Sequence, residues 1–349
     1  LVKSLFNPSS SMRLRLNTIP SLLGWGSKFL RYSSEPYFKA ALKDNFNLTS
    51  YSLRKTQEIA ERYDLKYCRK SEGTLRIFNT QEDFSIKENL YKSLNKMGLK
   101  CSVLNPDEIV SLVPPLSSIS SKLYKGIHYH QDESGDAHLF CKALLKKFLE
   151  LGGQVKYGAP LKSLTIANNK IIGINTDSEY IVASNVVIAA GAYSPKLLRA
   201  EKVNLDVKPA KGYSLTINVD GVSGLPALPV LNDAMNVVVT PLGNRLRLVG
   251  TAEFAGFDLS IDKKRIASLF EMFKIIYPEV ASQVDPDSAI PWAGLRPMSC
   301  DGKPFIGATK IKGLYINSGQ GPLGWTLAMG SANLLADIMF DIPTEIDAR

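Results

Sequence analysis

The sequence predicts a mixed α/β chain, grading into α+β, in which two domains are interleaved along the polypeptide. Three observations predict it. Near the C-terminus a short apolar run, LYIN, passes through a glycine-rich loop, SGQGPLGW, into the helical pattern TLAMGSANLLADIM, the order of a strand, a turn and a helix. The first half alternates amphipathic helical segments with short strand-like runs. Val207–Gly256 is rich instead in alternating β-branched residues broken by turn residues, which reads as antiparallel sheet.

Taken in order, Leu1–Ser34 reads as a linker and amphipathic segment in which SLLGWGSKFLRY forms a short helix. Pro36–Asp64 is helical, its charges arranged around Leu53, Ile59 and Ala60. Two strand-like pieces, Leu65–Arg69 and Gly73–Asn79, precede a helix over Asp83–Met97 and a strand near Lys100–Leu104. Pro106–Leu112 is a helix whose proline suits the first turn. After Pro114–Pro115 the chain is expected to be extended as far as Tyr129. Asp136–Leu151 is a helix stopped by Gly152–Gly153. Gln154–Ser194 reads as strand, strand, a turn at Asn168–Asn169, strand, short strand, and an apolar strand Asn185–Ala189 ending in Ala190–Gly191. In the β-rich stretch Leu242–Asn244 makes a hairpin turn, and helix Lys263–Tyr277 closes the region.

Composition narrows the function classes. A chain of 349 residues, 45% hydrophobic and 21% charged, suits one large or two ordinary soluble domains. The net charge of +9 permits an anionic partner. The lysines are spread without a long basic block or an aromatic-interleaved patch, which argues against nucleic acid and leaves a membrane surface open. No apolar run is long enough to span a bilayer, and Leu1–Pro20 mixes Lys3, Arg13 and Arg15 through its apolar positions, unlike a signal peptide. Cys68, Cys101, Cys141 and Cys300 are far apart with no CxxC pair, so neither a disulfide framework nor a zinc site is expected, as in a reducing compartment. His128, His130 and His138, even with Asp132 and Glu133 nearby, do not match a common metal-ligand spacing, and no metal is expected.

The candidate chemistry concentrates in Pro291–Ala328. Arg296 lies between Leu295 and Pro297, in what reads as a Gly/Pro-framed turn containing Gly294 and too apolar for solvated surface. A guanidinium there matches a carboxylate bidentately. The loop and helix start formed by Gly319, Gln320, Gly321, Pro322, Leu323, Gly324, Trp325 and Thr326 leave backbone N–H groups free where the helix dipole favours negative charge. For the loop alone, glycines serving only positive φ are an equal reading; the arginine upstream weights it towards binding. Small residues at Ala189, Ala190 and Gly191, after a strand, would let a dinucleotide approach the backbone. Tyr213 offers a hydroxyl for a substrate, against the commoner role of a strand tyrosine in packing.

These residues carry a resemblance. W-A-G-L-R-P-M-S-C-D-G-K-P-F-I-G followed by N-S-G-Q-G-P-L-G-W-T-L-A-M-G-S resembles the C-terminal signature of the FAD-dependent D-amino-acid dehydrogenases, within the glycine oxidase/D-amino-acid oxidase family. Collinear matches at Glu72–Phe78, Asp132–Phe140, Val187–Ser194, Lys211–Ile217 and Leu248–Phe257 extend it over nearly the whole chain. The resemblance implies an FAD-binding Rossmann-like domain from 1–64, 134–206 and 291–349, and a mostly antiparallel substrate domain from 65–133 and 207–290. It implies FAD as cofactor, with Leu161 against the adenine, Gly319–Thr326 against the O2 side of the flavin, Trp325 packed beside the ring, and Arg296 holding the substrate carboxylate. The implied reaction is oxidation of a small D-amino acid such as D-alanine, with hydride passing from Cα to flavin N5 and the imino acid hydrolysing to a 2-oxo acid and ammonia. A quinone or other respiratory-chain acceptor at the membrane surface, reached from the cytoplasm or by peripheral attachment to the inner face, is the implied partner.

Two departures qualify the implication. Gln320 stands where the related enzymes carry histidine, and an amide donates a hydrogen bond but does not titrate. The strand, G-x-G-x-x-G turn and helix that open such enzymes are not found, so one βαβ unit of roughly 30 residues or more is expected to precede Leu1. Two alternatives stay open: a glycine- or sarcosine-type oxidase that uses oxygen, and an inactive fragment or paralogue that does not hold FAD.

Overall fold

The computed structural model describes residues 12–347. Its elements in chain order are β1 (Met12–Leu14), α1 (Ile19–Tyr32), α2 (Glu35–Arg62), β2 (Thr74–Phe78), α3 (Gln81–Lys96), β3 (Cys101–Leu104), α4 (Pro106–Leu112), β4 (Lys125–Tyr129) and α5 (Ala137–Glu150). There follow β5 (Ser163–Ala167), β6 (Lys170–Asn175), β7 (Tyr180–Val182), β8 (Val186–Ile188), β9 (Val207–Asn218), β10 (Val230–Asn232), β11 (Val237–Leu242), β12 (Arg245–Phe254) and α6 (Lys263–Ile276). The C-terminal part contains β13 (Ile290–Ser299), β14 (Phe305–Ala308), β15 (Leu314–Ser318) and α7 (Gly324–Met339).

Period-two alternation builds the largest layer. Strands β13, β9, β12, β11, β10, β2, β4 and β3 lie side by side in that order, with β1 paired to β12, in a nine-stranded and mostly antiparallel sheet. One face of it is core: Leu215, Ile217, Val239, Leu246 and Leu248 pack against Leu269, Phe273 and Ile276 of α6. A second, smaller sheet sets β8 parallel to β15, with β14 antiparallel on the other side. The β5–β7 meander covers it, burying Leu164 and Ile171 with Ile188, Leu314 and Ile316. The turn of that meander has Asn168 and Asn169 at φ 48° and 57°, the pair of left-handed residues a two-residue hairpin requires.

Helices α2 and α7 cross at contact distance because position 330 is glycine. A Cβ there would lie 2.6 Å from Ser52 Cβ, and the Gly330 N–H donates to Ser52 Oγ at 3.0 Å. Gly330→Val is therefore expected to separate the helices and lower stability by about 1–3 kcal/mol, measured by denaturant unfolding.

Four local expectations are corrected. Leu65–Arg69 is not a strand, since Asp64 and Cys68 sit at positive φ and interrupt any extended run. Pro114–Lys122 forms 3-10 turns before β4 begins, so only the second half of the stretch to Tyr129 is extended. Gln154–Pro160 forms no strand, its path broken at Gly158 (φ 67°) and Pro160. Part of the expected N-terminal linker pairs in the sheet as β1, while residues 1–11 lie outside the described range.

Candidate active site

Arg296 is not in a turn. It lies in the ten-residue strand β13, whose prolines suggested a turn but are tolerated because β13 is the edge of the large sheet. Register pairs Arg296 with Ala210 and Gly294 with Gly212 across β9. Residues 291–299 thus belong by hydrogen bonding to the antiparallel sheet, and a boundary at 291 would cut them from it.

The guanidinium lies flat on the backbone at Gly212, where a Cβ would stand 2.5 Å from its Cζ. Its Nη1 donates to the carbonyl of Thr251 at 3.2 Å. Thr251 is the extra residue of a bulge between Gly250 and Ala252, and its φ of 59° is unusual for a β-branched residue. Burial draws the Arg296 pKa below its ordinary value, and no charged neighbour raises it. The group remains a cation at any physiological pH, and among the described residues no carboxylate lies within ion-pair distance of it. Gly212→Ala is expected to displace the guanidinium and weaken the binding of a carboxylate ligand roughly tenfold, about 1.4 kcal/mol; titration of the folded variant and parent with such a ligand checks this.

The second arm of the site is the glycine loop. Strands β8 and β15 are parallel, and their carboxyl ends are tied where Ser318 Oγ donates to the Gly191 carbonyl at 2.9 Å. Gly191, Gly319 and Gly321 have φ of 53°, 86° and 57°, which glycine adopts without cost. Space beside Gly191 and Gly324 is open, with nothing within 4 Å of an added Cβ. Helix α7 starts at Gly324 with no side-chain cap, so Trp325 and Thr326 already belong to its first turn, where backbone N–H groups point out of the helix end. Gln320 Nε2 donates to Asn317 Oδ1 at 2.5 Å.

The two arms meet. Met298 shares the Arg296 face of β13 by alternation; it bridges to Gln320, and its Sδ stands 3.4 Å from where a Gly321 Cβ would be. Pro322 lies in the 3-10 turn Gly321–Leu323. Leu323 and Thr326 line a cavity of about 780 Å³ that α2 and residues of β2 and β4 also wall, with Phe46, Thr74 and Tyr129 among its lining. Carboxyl ends of parallel strands, positive-φ glycines and an uncapped helix N-terminus are what a dinucleotide pyrophosphate or ring carbonyl requires. The residues present therefore fit FAD.

Other residues singled out in the sequence are taken up by packing. Leu161 and Ala190 pack against the core around Ile171 and Ile188. The Trp292 indole lies on Gly294, where a Cβ would be 2.1 Å from it. The Trp325 ring is engaged by Phe140 at 5.1 Å and Tyr67 at 5.9 Å. Tyr213 is not brought to Arg296: alternation places it on the opposite face of β9, in the core, where its hydroxyl donates to Glu253 Oε2 at 2.7 Å.

That hydrogen bond belongs to a buried ionic cluster that the sequence reading missed. Lys211 and Glu253 are both 0% exposed and sit opposite one another in register, with Lys211 Nζ 3.4 Å from Glu253 Oε2 and 3.3 Å from Asp258 Oδ2. Arg15, just beyond β1, donates to Glu253 Oε1 and to Asp258 Oδ2, both at 2.7 Å. Burial pushes the Glu253 pKa up, but hydrogen bonds from Arg15 and Tyr213 and the Lys211 charge hold it below its ordinary value. The available signal was the run Lys211, Tyr213, Leu215, Ile217, which puts a lysine in phase with core positions.

Comparison with known proteins agrees with the geometry. The family model "DAO: FAD dependent oxidoreductase" matches residues 23–338. A D-amino acid dehydrogenase of Rhizobium rhizogenes is 34% identical over 346 residues, covering 99% of this chain and 82% of the relative. One from Vibrio atlanticus is 32% identical over 345 residues, with the same coverages. Among solved structures, glycine oxidase from Bacillus cereus superposes with a TM-score of 0.76 at 23% identity, covering 84% of this chain and 80% of its own. L-proline dehydrogenase from P. horikoshii gives 0.77 at 19%, covering 86% and 80%. These two show the shared fold. By its family match and its similarity to curated D-amino acid dehydrogenases along nearly its whole length, the chain belongs to the DAO family of FAD-dependent oxidoreductases.

Proposed function

We propose that this protein is a D-amino-acid dehydrogenase that oxidatively deaminates small D-amino acids such as D-alanine to 2-oxo acids and ammonia. The observation that carries the reading is Arg296: a largely buried guanidinium held by one carbonyl, with no carboxylate partner among the described residues, on the sheet face that meets the glycine loop. FAD, when bound, supplies the acceptor for the hydride that leaves Cα. Arg296 binds the substrate carboxylate through its fork, and the flat seat on Gly212 fixes the direction in which Cα points. The first turn of α7, with Gly319–Leu323 before it, favours negative charge placed against its N–H groups. Gly191 leaves room for the dinucleotide beyond the end of β8, while Ala190 and Leu161 support that strand from the core. Gln320, engaged by Asn317, acts as a fixed dipole and not as a proton carrier. Hydrolysis of the imino acid completes the reaction. The similarity of the chain to curated D-amino acid dehydrogenases supports the choice of D stereochemistry.

We place the electron acceptor at a membrane surface, as a small quinone. The net charge of +9 supports such a location, and among the described residues no helix is long and apolar enough to cross a membrane. Release of 2-oxo acid and ammonia from D-alanine, driven by a water-soluble quinone analogue and not by oxygen, is the expected outcome. Turnover of glycine or sarcosine with hydrogen peroxide formation would replace this reading with that of an oxidase.

A further inference from the structure

Helix α1 carries an apolar face that nothing in the described chain covers. Its inner side is anchored: Trp25 is buried, stacks on Phe29 at 5.2 Å, meets Phe254 at 5.8 Å and donates its indole N–H to the Asp206 carbonyl at 3.1 Å. On the opposite side Leu16, Leu23 and Leu30 are 71%, 66% and 73% exposed, with Ile19 half-buried between them. The spacing from Ile19 to Leu23 to Leu30 is one helical stripe, at i, i+4 and i+11. Gly24 and Gly26 lie inside the helix, and an added Cβ at either would have no neighbour within 4 Å. Glycines of this kind weaken a helix by roughly 1 kcal/mol each, so the outer face is one that gains from a partner.

Charge identifies the partner. Residues 1–34 contain Lys3, Arg13, Arg15, Lys28 and Arg31 and no aspartate or glutamate. Arg13 and Arg15 turn inward to Glu253, Asp258 and Asp262. Lys28 pairs with Asp206 at 2.7 Å while staying half exposed, and Arg31 reaches over the Tyr37 ring at 5.9 Å. Beyond the helix the aromatic rings of Tyr37 and Phe38 are also exposed, and Glu35 is engaged by Lys39. An apolar stripe flanked by Lys and Arg and followed by exposed aromatic rings fits a helix lying in the plane of an anionic bilayer. A second copy is disfavoured because a two-fold contact through this stripe would face Lys28 and Arg31 towards their own mates.

We infer that the face formed by Ile19, Leu23 and Leu30 of α1, together with Leu16 in the turn before it, is the surface by which the protein lies on an anionic lipid bilayer. This adds a named surface to the acceptor side of the proposed function and rests on that part of it alone. Vesicle binding is read without turnover, so its failure leaves the deamination reading untouched.

The test is flotation of the flavin-loaded, full natural chain with phosphatidylcholine vesicles in which about one third of the lipid is phosphatidylglycerol. Pure phosphatidylcholine vesicles are the control. Binding to the anionic vesicles is expected, weakened by salt, and reduced at least roughly tenfold by Leu23→Glu/Leu30→Glu. Leu23→Phe/Leu30→Phe should retain it. Both positions are exposed, so flavin content and circular dichroism should match the parent in each variant. No binding by the parent chain, or equal binding by the parent and the glutamate variant, overturns the inference. So does a lipid-free doubling of mass in sedimentation that the glutamate variant abolishes, which would assign the face to a second copy.

Discussion

Arg296→Ala lowers kcat/KM for the D-amino acid by about 2–5 kcal/mol, roughly 30- to 5,000-fold, while flavin content is retained. The size follows from what the substitution leaves behind. A substrate carboxylate entering this site loses its water, and without the guanidinium nothing on that face of β13 replaces it. Arg296→Lys recovers only part of the loss, because an ammonium keeps the charge but not the planar fork that lies on Gly212. Truncation also frees the Thr251 carbonyl, a smaller cost because one neutral acceptor is left unpaired. Steady-state kinetics together with flavin absorbance checks the prediction. A variant with undiminished kcat/KM would return Arg296 to a structural role.

The second large effect is on stability. Glu253→Ala is expected to cost about 3–5 kcal/mol, since it leaves Lys211 buried and deprives Arg15 and Tyr213 of their shared acceptor. The pH dependence has a definite sign. Because the folded-state pKa of Glu253 is held below its unfolded value, its contribution is fully present above about pH 5 and fades as pH falls through the folded pKa. The parent should therefore lose stability on acidification more steeply than Glu253→Ala. Replacing Lys211 and Glu253 together by apolar residues should cost less than either single removal, as neither member of the pair is then left buried without the other. Denaturant unfolding of the single and double variants at two pH values checks all three statements.

Much of the scaffold was legible because local signals and tertiary context agree. Asn105 and Glu108 form a capping box around α4, whose span Pro106–Leu112 the proline and the acidic first turn announce. Asn168–Asn169 declares its hairpin in the same way. The misplaced turn at Arg296 has a plain cause. Pro291 and Pro297 suggested a turn because proline is foreign to sheet interiors, whereas an edge strand accepts it, and edge position is a property of the assembled sheet. Arg296 stood out as a candidate through its apolar surroundings and its family motif; its seat on Gly212 and its bond to Thr251 depend on register and on a bulge. Tyr213 shows the limit most clearly. Its type suggested a substrate hydroxyl, but its phase with Lys211, Leu215 and Ile217 placed it in the core. The ionic cluster joins β1, β9 and β12 over more than 200 positions of sequence, a separation at which no periodicity argument acts.

The central claim is that this flavoenzyme takes its electrons from a D-amino acid held by Arg296. Anaerobic titration of the flavin absorbance, on the full natural chain with D-alanine and L-alanine as separate reductants, addresses it most directly. The account predicts bleaching with D-alanine alone, and its loss at the same concentrations in Arg296→Ala. Bleaching by L-alanine or by glycine in place of D-alanine, or bleaching by D-alanine that Arg296→Ala leaves unchanged, would contradict it.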